Sequence, residues 1–180
     1  MIKIFTFEPE YFNNNGDQGN LEVLTAQLEQ QNMKYKFVAD AKEVDFMLIG
    51  DCSLASLDHF EKQLGKLRKI VADRYSKGLP TLLVGNAYEY FAPQLGLTVN
   101  RVKRESRFVT TSEGHFGYRN SDNDLPICHV SGAFVATSLF GPVLAKNPQL
   151  LSLIMSSLGT AAQLSEQVLG WIETIRSKNG

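Results

Sequence analysis

Cysteine and histidine are scarce in this 180-residue chain, and the few that occur follow no metal-binding or redox spacing. The two cysteines, Cys52 and Cys128, lie far apart, and the three histidines are scattered. Cys128 and His129 are adjacent, so in a strand their side chains would point to opposite faces and could not form a catalytic pair. The sequence therefore predicts no metal site and no cofactor.

The chain also lacks a large excess of charge and any long apolar run. Its formal net charge is -1, and no basic block extends beyond Arg101–Arg107, which argues against nucleic acid as the main partner. No apolar stretch approaches the roughly 20 residues that span a bilayer. Met1 leads directly into the strand-like Ile2–Phe5 rather than into a secretion signal. We therefore expect no membrane partner and a reducing, cytoplasmic location.

What the chain does contain is enough apolar material for a substantial core, because 43% of its residues are hydrophobic. Short apolar runs alternate with stretches of helical period, which is typical of an α/β protein with a mainly parallel sheet. The run at 80–84 is apolar without alternation, as expected for a strand buried on both faces. Strands are predicted at 2–7, 35–38, 45–49 and 80–84, and helices at 20–31, at 56–77 and briefly through Tyr88 and Phe91.

The pattern changes in the second half of the chain. Between Val99 and Ala136 the β segments are short and interrupted by polar residues, which favours antiparallel strands. Two helices are predicted to follow, at 147–157 and 160–177, and Pro148 is well placed in the first turn of the former. Because no repeat, linker or low-complexity stretch interrupts the sequence, we expect residues 1–180 to form a single domain.

One segment of the last third resembles a known catalytic motif. Residues 137–144, Thr-Ser-Leu-Phe-Gly-Pro-Val-Leu, are similar to the Thr-Tyr-Leu-His-Gly-Pro-Leu-Leu segment of class I glutamine amidotransferases, and Lys146, Asn147 and Pro148 continue the match. Phe140 stands where that family has its catalytic His, the general base that activates a thiol. This segment is the most specific of the matches.

A second segment resembles the nucleophile elbow of the same family. Residues 82–91 align with Gly-Ile-Cys-Gly-Gly-Tyr-Gln-Leu-Leu, in which a strained strand-to-helix turn presents a Cys thiolate. Gly85 stands at the Cys position, Tyr88 keeps the aromatic residue, and Glu89 replaces Gln. Both members of the catalytic dyad are therefore replaced, which is more coherent than the loss of one, since either alone is of little catalytic use.

Further similarities are weaker. Residues 13–20 are similar to the Gly-Asp-Arg-Gly-Asn element that follows the first strand in the glutaminase subunit of the lipid II amidation enzyme, with Gln18 in place of Arg. Residues 117–121 are similar to Gly-Phe-Glu-Asn-His, with Asn120 kept and Ser121 in place of His. Of the Gly-rich run that supplies oxyanion-hole amides in the family, only Gly50 persists, before Asp51, Cys52 and Ser53.

Together these segments resemble amidotransferases of the cobyric acid synthase and lipid II amidation type. The resemblance implies a three-layer, flavodoxin-like fold, a chain that does not hydrolyse glutamine, and a ligand cleft at the C-terminal edge of the sheet. It also implies a synthetase-like or ligase-like protein as one partner. The residues expected in that cleft, besides the degenerate positions Gly85 and Phe140, are Asn15, Gly16, Asp17, Asn20, Gly50, Asn86, Tyr88 and Asn120.

Other roles remain open at this point. An active enzyme could use Cys52, although a buried structural thiol is the more common situation. It could instead use a carboxylate, and Asp51, Glu89 and Glu113 could share a cleft, although their spacing supports no specific pair. A third role is that of a purely structural subunit. The ligand is either a small molecule or a partner protein, and a homo-oligomer is compatible with the sequence.

Overall fold

A computed structural model describes residues 1–179 and shows helices packed on both faces of a central sheet. Six strands form this sheet in the order β2-β1-β3-β4-β8-β7. Its strands are β1 (Ile2–Thr6), β2 (Tyr35–Phe37), β3 (Phe46–Ile49), β4 (Thr81–Val84), β7 (Cys128–Ser131) and β8 (Phe134–Thr137). All neighbours are parallel except β7, which runs antiparallel to β8 at the edge. The first five strands have the flavodoxin-like order.

Strands β3 and β4 are buried on both faces because their side chains pack alternately into two separate hydrophobic cores. Met47 and Ile49 pack toward helix α2 (Leu54–Ser76), whereas Phe46 and Leu48 pack toward the other side. The other side is covered by α1 (Gly19–Gln30) and α5 (Pro148–Ser157). The three-layer α/β fold predicted from the sequence is therefore confirmed.

A small second sheet lies beyond the C-terminal edge of β4. Strands β5 (Arg101–Thr110) and β6 (Phe116–Asn123) form a long antiparallel hairpin, and β9 (Leu139–Phe140) pairs with β6. The antiparallel prediction for 99–136 is right for this hairpin but wrong for β8, which joins the main sheet parallel to β4. Pairing between strands about 50 residues apart leaves no trace in local periodicity.

The helical boundaries differ modestly from those predicted. Helix α2 begins at Leu54, because the Ser53 hydroxyl accepts a hydrogen bond from the Ser56 amide and caps it. The short helices α3 (Asn86–Phe91) and α4 (Val143–Lys146) follow β4 and β9. The last helix, α6 (Glu166–Asn179), begins six residues later than predicted. Within residues 1–179, no helix is long and apolar enough to cross a membrane.

Candidate functional site

The sharp turn from β4 into α3, here called the elbow, has no room for a side chain at residue 85. Gly85 adopts φ 58° and ψ -122°, a conformation that residues with a Cβ atom rarely reach. A Cβ atom at this position would lie 2.2 Å from Asp51 Oδ1 and 2.7 Å from a ring carbon of Phe140. With Asp51 and Phe140 where they are, position 85 can only be glycine.

The Asp51 carboxylate fills the space in front of the elbow. Its Oδ1 accepts a hydrogen bond from the Asn86 backbone amide at 2.8 Å, and its Oδ2 accepts one from Asn15 Nδ2 at 2.8 Å. The residue follows β3 and is only 4% exposed. Burial raises the pKa of the Asp51 carboxyl, and hydrogen bonds from the Asn86 and Cys52 backbone amides partly oppose that rise. The first amide of α3 is thus occupied by the protein's own carboxylate.

Asp17 lies behind Asp51 and is completely buried. Its Oδ2 accepts a hydrogen bond from the Asp51 backbone amide at 3.0 Å, while its Oδ1 has no partner among the described residues. Burial raises the pKa of Asp17 to about 7, with a further contribution from the negative charge of Asp51. The ammonium group of Lys146 opposes this rise. Asp17 therefore supports the loop that carries Asp51 rather than lining a cavity.

Phe140 is held in place by the strand that carries it. It lies opposite Tyr118 in the pairing of β9 with β6, and Lys146 Nζ donates a hydrogen bond to its carbonyl oxygen at 2.6 Å. Burial lowers the pKa of Lys146, and the Asp17 carboxylate acts in the opposite direction. The phenyl ring lies against Gly85.

The hairpin β5–β6 contributes a charged wall opposite the elbow. Arg101 forms ion pairs with Glu89 of α3 and with Asp122, and the Arg101–Asp122 distance is 2.9 Å. Arg104 contacts Asp122 at 3.0 Å and donates to Asn120 Oδ1 at 3.1 Å. These contacts tie the hairpin to the elbow helix.

A cavity of about 590 Å³ remains between this wall and the elbow. We call it the elbow cleft. It is lined by Asn14, Asn15, Asp51, Leu54, Gly85, Asn86, Glu89, Arg101, Arg104, Asn120, Ser121, Asp122, Asn123, Ser138 and Phe140. Its volume lies within the range of small-molecule sites, and its position at the C-terminal ends of parallel strands is where open α/β sheets bind ligands.

Five of the ten positions singled out from the sequence line this cleft, namely Asn15, Gly85, Asn86, Asn120 and Phe140. Asp17 is one layer behind it. Tyr88 was expected in the cleft but lies on the face of α3 that packs into the core, so it is only 1% exposed. Its hydroxyl donates a hydrogen bond to the Pro126 carbonyl oxygen.

The remaining predicted cleft residues have structural roles. The Asn20 side chain donates a hydrogen bond to the Asp17 carbonyl oxygen and accepts one from the Leu144 backbone amide at 2.9 Å. Gly50 allows close backbone approach, since a Cβ there would lie 2.2 Å from the Phe12 carbonyl oxygen. Gly16 forms an exposed turn at φ 75°.

Several cleft residues were not found from the sequence. Arg101, Arg104 and Asp122 lie on the hairpin, and only the folding of that hairpin over α3 brings them to Glu89. The cluster of arginines at 101–107 was the available signal. Of the three carboxylates that could share a cleft, Asp51 and Glu89 do so, whereas Glu113 lies in the exposed hairpin turn.

Neither thiol is placed for chemistry. Cys52 is fully buried, and burial raises its pKa to about 12. Cys128 is half-buried, and burial likewise raises its pKa to about 12. Thiols with such pKa values are protonated at neutral pH and are poor nucleophiles. The described part of the chain holds no group of three or more potential metal ligands.

Solved structures with a similar fold include two amidotransferase-type proteins. A glutamine amidotransferase from Thermotoga maritima is 14% identical, with a TM-score of 0.51, over 98% of this chain and 83% of that one. A Thermoplasma acidophilum protein assigned as a GMP synthase component is 17% identical, with a TM-score of 0.51, over 88% of this chain and 96% of that one. No protein-family model and no curated protein matches the sequence significantly. These likenesses establish a glutamine amidotransferase-like fold.

Proposed function

We propose that this chain is a catalytically degenerate relative of the class I glutamine amidotransferases, of the cobyric acid synthase and lipid II amidation type, and acts by binding a ligand or a partner subunit. The observation that carries the proposal is the filling of the nucleophile position. Asp51 Oδ1 and the Phe140 ring occupy the space that any side chain at residue 85 would need. Cysteine and histidine are thus absent, and their space is also closed.

The oxyanion-binding position supports the same conclusion. In acyl transfer, the backbone amide after the nucleophile stabilises the developing negative charge. Here the corresponding amide, that of Asn86, already donates to Asp51 at 2.8 Å. A substrate carbonyl would have to displace a buried carboxylate that is held by two hydrogen bonds. The elbow therefore lacks the nucleophile, the base and a free oxyanion donor.

Binding, in contrast, needs only a shaped cleft, and the elbow cleft retains about 590 Å³. Most of its wall is polar, with amide side chains from three different segments of the chain. A small number of polar groups held at fixed positions is what orients a ligand and gives specificity in small-molecule sites. This cleft supports the proposal that the chain acts by binding.

Assay of ammonia release from glutamine tests this proposal. We expect the purified protein to release no ammonia above the buffer rate, and Cys52→Ala to behave identically, since the Cys52 thiol is buried and protonated. A thiol-reactive probe should label Cys52 more slowly than free cysteine at neutral pH. Release at enzyme-like rates that is abolished by Cys52→Ala would overturn the proposal.

An active enzyme that uses a carboxylate is the second candidate, and one observation favours it. Asp51 lies at the position of the missing nucleophile and at the floor of the cleft. If Asp51 acts chemically, hydrolytic activity on amide or ester substrates should be present in the wild type and absent in Asp51→Asn, which preserves shape. Equal rates in the two proteins would exclude this role for Asp51.

A further inference from the structure

The charged groups of the elbow cleft are engaged with one another. Arg101 pairs with Glu89 and Asp122, and Arg104 pairs with Asp122. Asp51 is held by the Asn86 amide and the Asn15 side chain. Because two arginines face three carboxylates, the cleft has no surplus positive charge with which to attract an anion. A phosphate or carboxylate ligand would have to break existing ion pairs in a site whose net charge is negative.

Several hydrogen-bonding groups that are left free in the cleft are neutral carboxamide atoms. Asn15 uses its Nδ2 on Asp51, Asn86 uses its Nδ2 on the Cys52 carbonyl, and Asn120 uses its Oδ1 on Arg104. The opposite atoms, Oδ1 of Asn15 and Asn86 and Nδ2 of Asn120, have no protein partner within residues 1–179. Each carboxamide is thus oriented at one end and available at the other. The cleft offers both acceptors and donors at fixed positions, and the Ser121 hydroxyl can serve as either.

The ring of Phe140 supplies an apolar surface beside these amides. It is half-buried, and its edge packs on Gly85 while the residue also lines the cleft. Fixed neutral amides next to an aromatic surface suit a ligand that carries hydroxyl groups around an apolar ring face. A cleft of about 590 Å³ accommodates one or two such rings.

We propose that the elbow cleft binds a neutral, polyhydroxylated ligand of monosaccharide or disaccharide size. This inference rests on the proposed function, because it assumes that the site binds without hydrolysing glutamine. Hydroxyl groups donate to Asn15 and Asn86 and accept from Asn120, and the apolar face of the ring packs on Phe140. No ion pair of the hairpin wall has to open.

Ligand-observed saturation-transfer NMR on the full chain tests the proposal. The probes are glucose, N-acetylglucosamine, maltose and cellobiose at millimolar concentration, with L-glutamine and inorganic phosphate as charged competitors. We expect at least one saccharide to receive saturation from the protein, and neither competitor to displace it. Asn120→Ala should weaken its binding about 5-fold, the range for one neutral hydrogen bond. Gln167→Ala removes an exposed carboxamide of α6 outside the cleft and should leave affinity unchanged.

Three results would overturn the proposal. They are the absence of saturation for every saccharide, displacement of the saccharide by glutamine or phosphate, and equal loss of affinity in Asn120→Ala and Gln167→Ala. If Asn120→Ala fails to fold, as judged by its circular dichroism, Phe140→Leu replaces it, since loss of the aromatic ring should also weaken binding. Failure of the proposed function is seen separately as ammonia release from glutamine, which the NMR result does not affect.

Discussion

Both ends of the parallel sheet hold buried ionisable side chains, but the ends differ in what surrounds them. At the N-terminal ends of β3 and β4, Arg74 is 4% exposed and donates to the carbonyl oxygens of Val44 and Pro80 and to Thr81 Oγ1. At the C-terminal ends, Asp51 is also 4% exposed and accepts from amides. Among the described residues, neither forms an ion pair with an opposite charge within 4.0 Å.

Burial of a hydrogen-bonded charged side chain therefore has different consequences at the two ends of the sheet. Arg74 is enclosed by its partners, and burial lowers its pKa to about 10, so its contribution is to the stability of the strand ends. Asp51 borders a cavity of about 590 Å³, so solvent or a ligand can reach its surroundings. We infer that the N-terminal edge of the sheet is structural, and that the C-terminal edge keeps polar groups available for recognition.

The largest effect is expected at the structural edge. Arg74→Met keeps much of the side-chain volume but leaves the Val44 carbonyl and the Thr81 hydroxyl oxygen without a donor, while the Pro80 carbonyl keeps only the Met47 amide. We expect a loss of about 3 kcal/mol in the free energy of unfolding. Arg74→Lys should lose less, because one cation remains to contact the carbonyls. Denaturant unfolding measures both. A loss below about 1 kcal/mol for Arg74→Met would mean that water can reach the acceptors at this edge of the sheet.

A pH-dependent effect is expected behind the cleft. The pKa of Asp17 is about 7 in the fold and 3.8 ordinarily, so the folded state holds its proton more tightly than the unfolded chain does. This stabilisation is complete below about pH 4 and is lost as the pH rises through 7, at a cost of at most about 4 kcal/mol. Asp17→Asn avoids the cost but buries an extra NH₂ group, so we expect a net gain of about 2 kcal/mol at pH 8.

The same variant should be no more stable than the wild type at pH 4, where Asp17 is protonated in the folded state. Thermal or denaturant unfolding across this pH range provides the measurement. Asp51 and Lys146 face Asp17, and both remain in the variant, so the difference between the two proteins isolates Asp17. A stability difference that does not change with pH would show that folding does not raise the pKa of Asp17.

The smallest effect is expected at Asp51 itself. Asp51→Ala removes a buried charge, and water from the cleft can then hydrate the Asn86 amide and Asn15, so we expect a loss of only about 1 kcal/mol. The comparison with Arg74→Met is the decisive one. Similar losses for the two variants in denaturant unfolding would show that the C-terminal edge is as closed as the other, and would argue against a ligand site there.

Much of the fold could be predicted from local pattern. The apolar run at 80–84 predicted a strand buried on both faces, which β4 is, because such a strand shows no alternation of polar and apolar residues. The helical period of the apolar residues at 56–77 predicted the long helix α2. The place of β8 beside β4 and the charged wall formed by Arg101, Arg104 and Asp122 could not be predicted. Both depend on contacts between distant segments, which local periodicity does not encode.

The sequence by itself determined that residue 85 is Gly and residue 140 is Phe, so neither position carries a thiol or an imidazole. Only the tertiary structure decided what stands in their place. Asp51 reaches the turn at Gly85 because the parallel strands β3 and β4 end side by side, and its carboxylate then accepts a hydrogen bond from the Asn86 amide. The hairpin lies against α3, where Arg101 pairs with both Glu89 and Asp122. Side-chain identity comes from the chain, whereas proximity, burial and the pKa shifts that follow from them arise only when the chain folds.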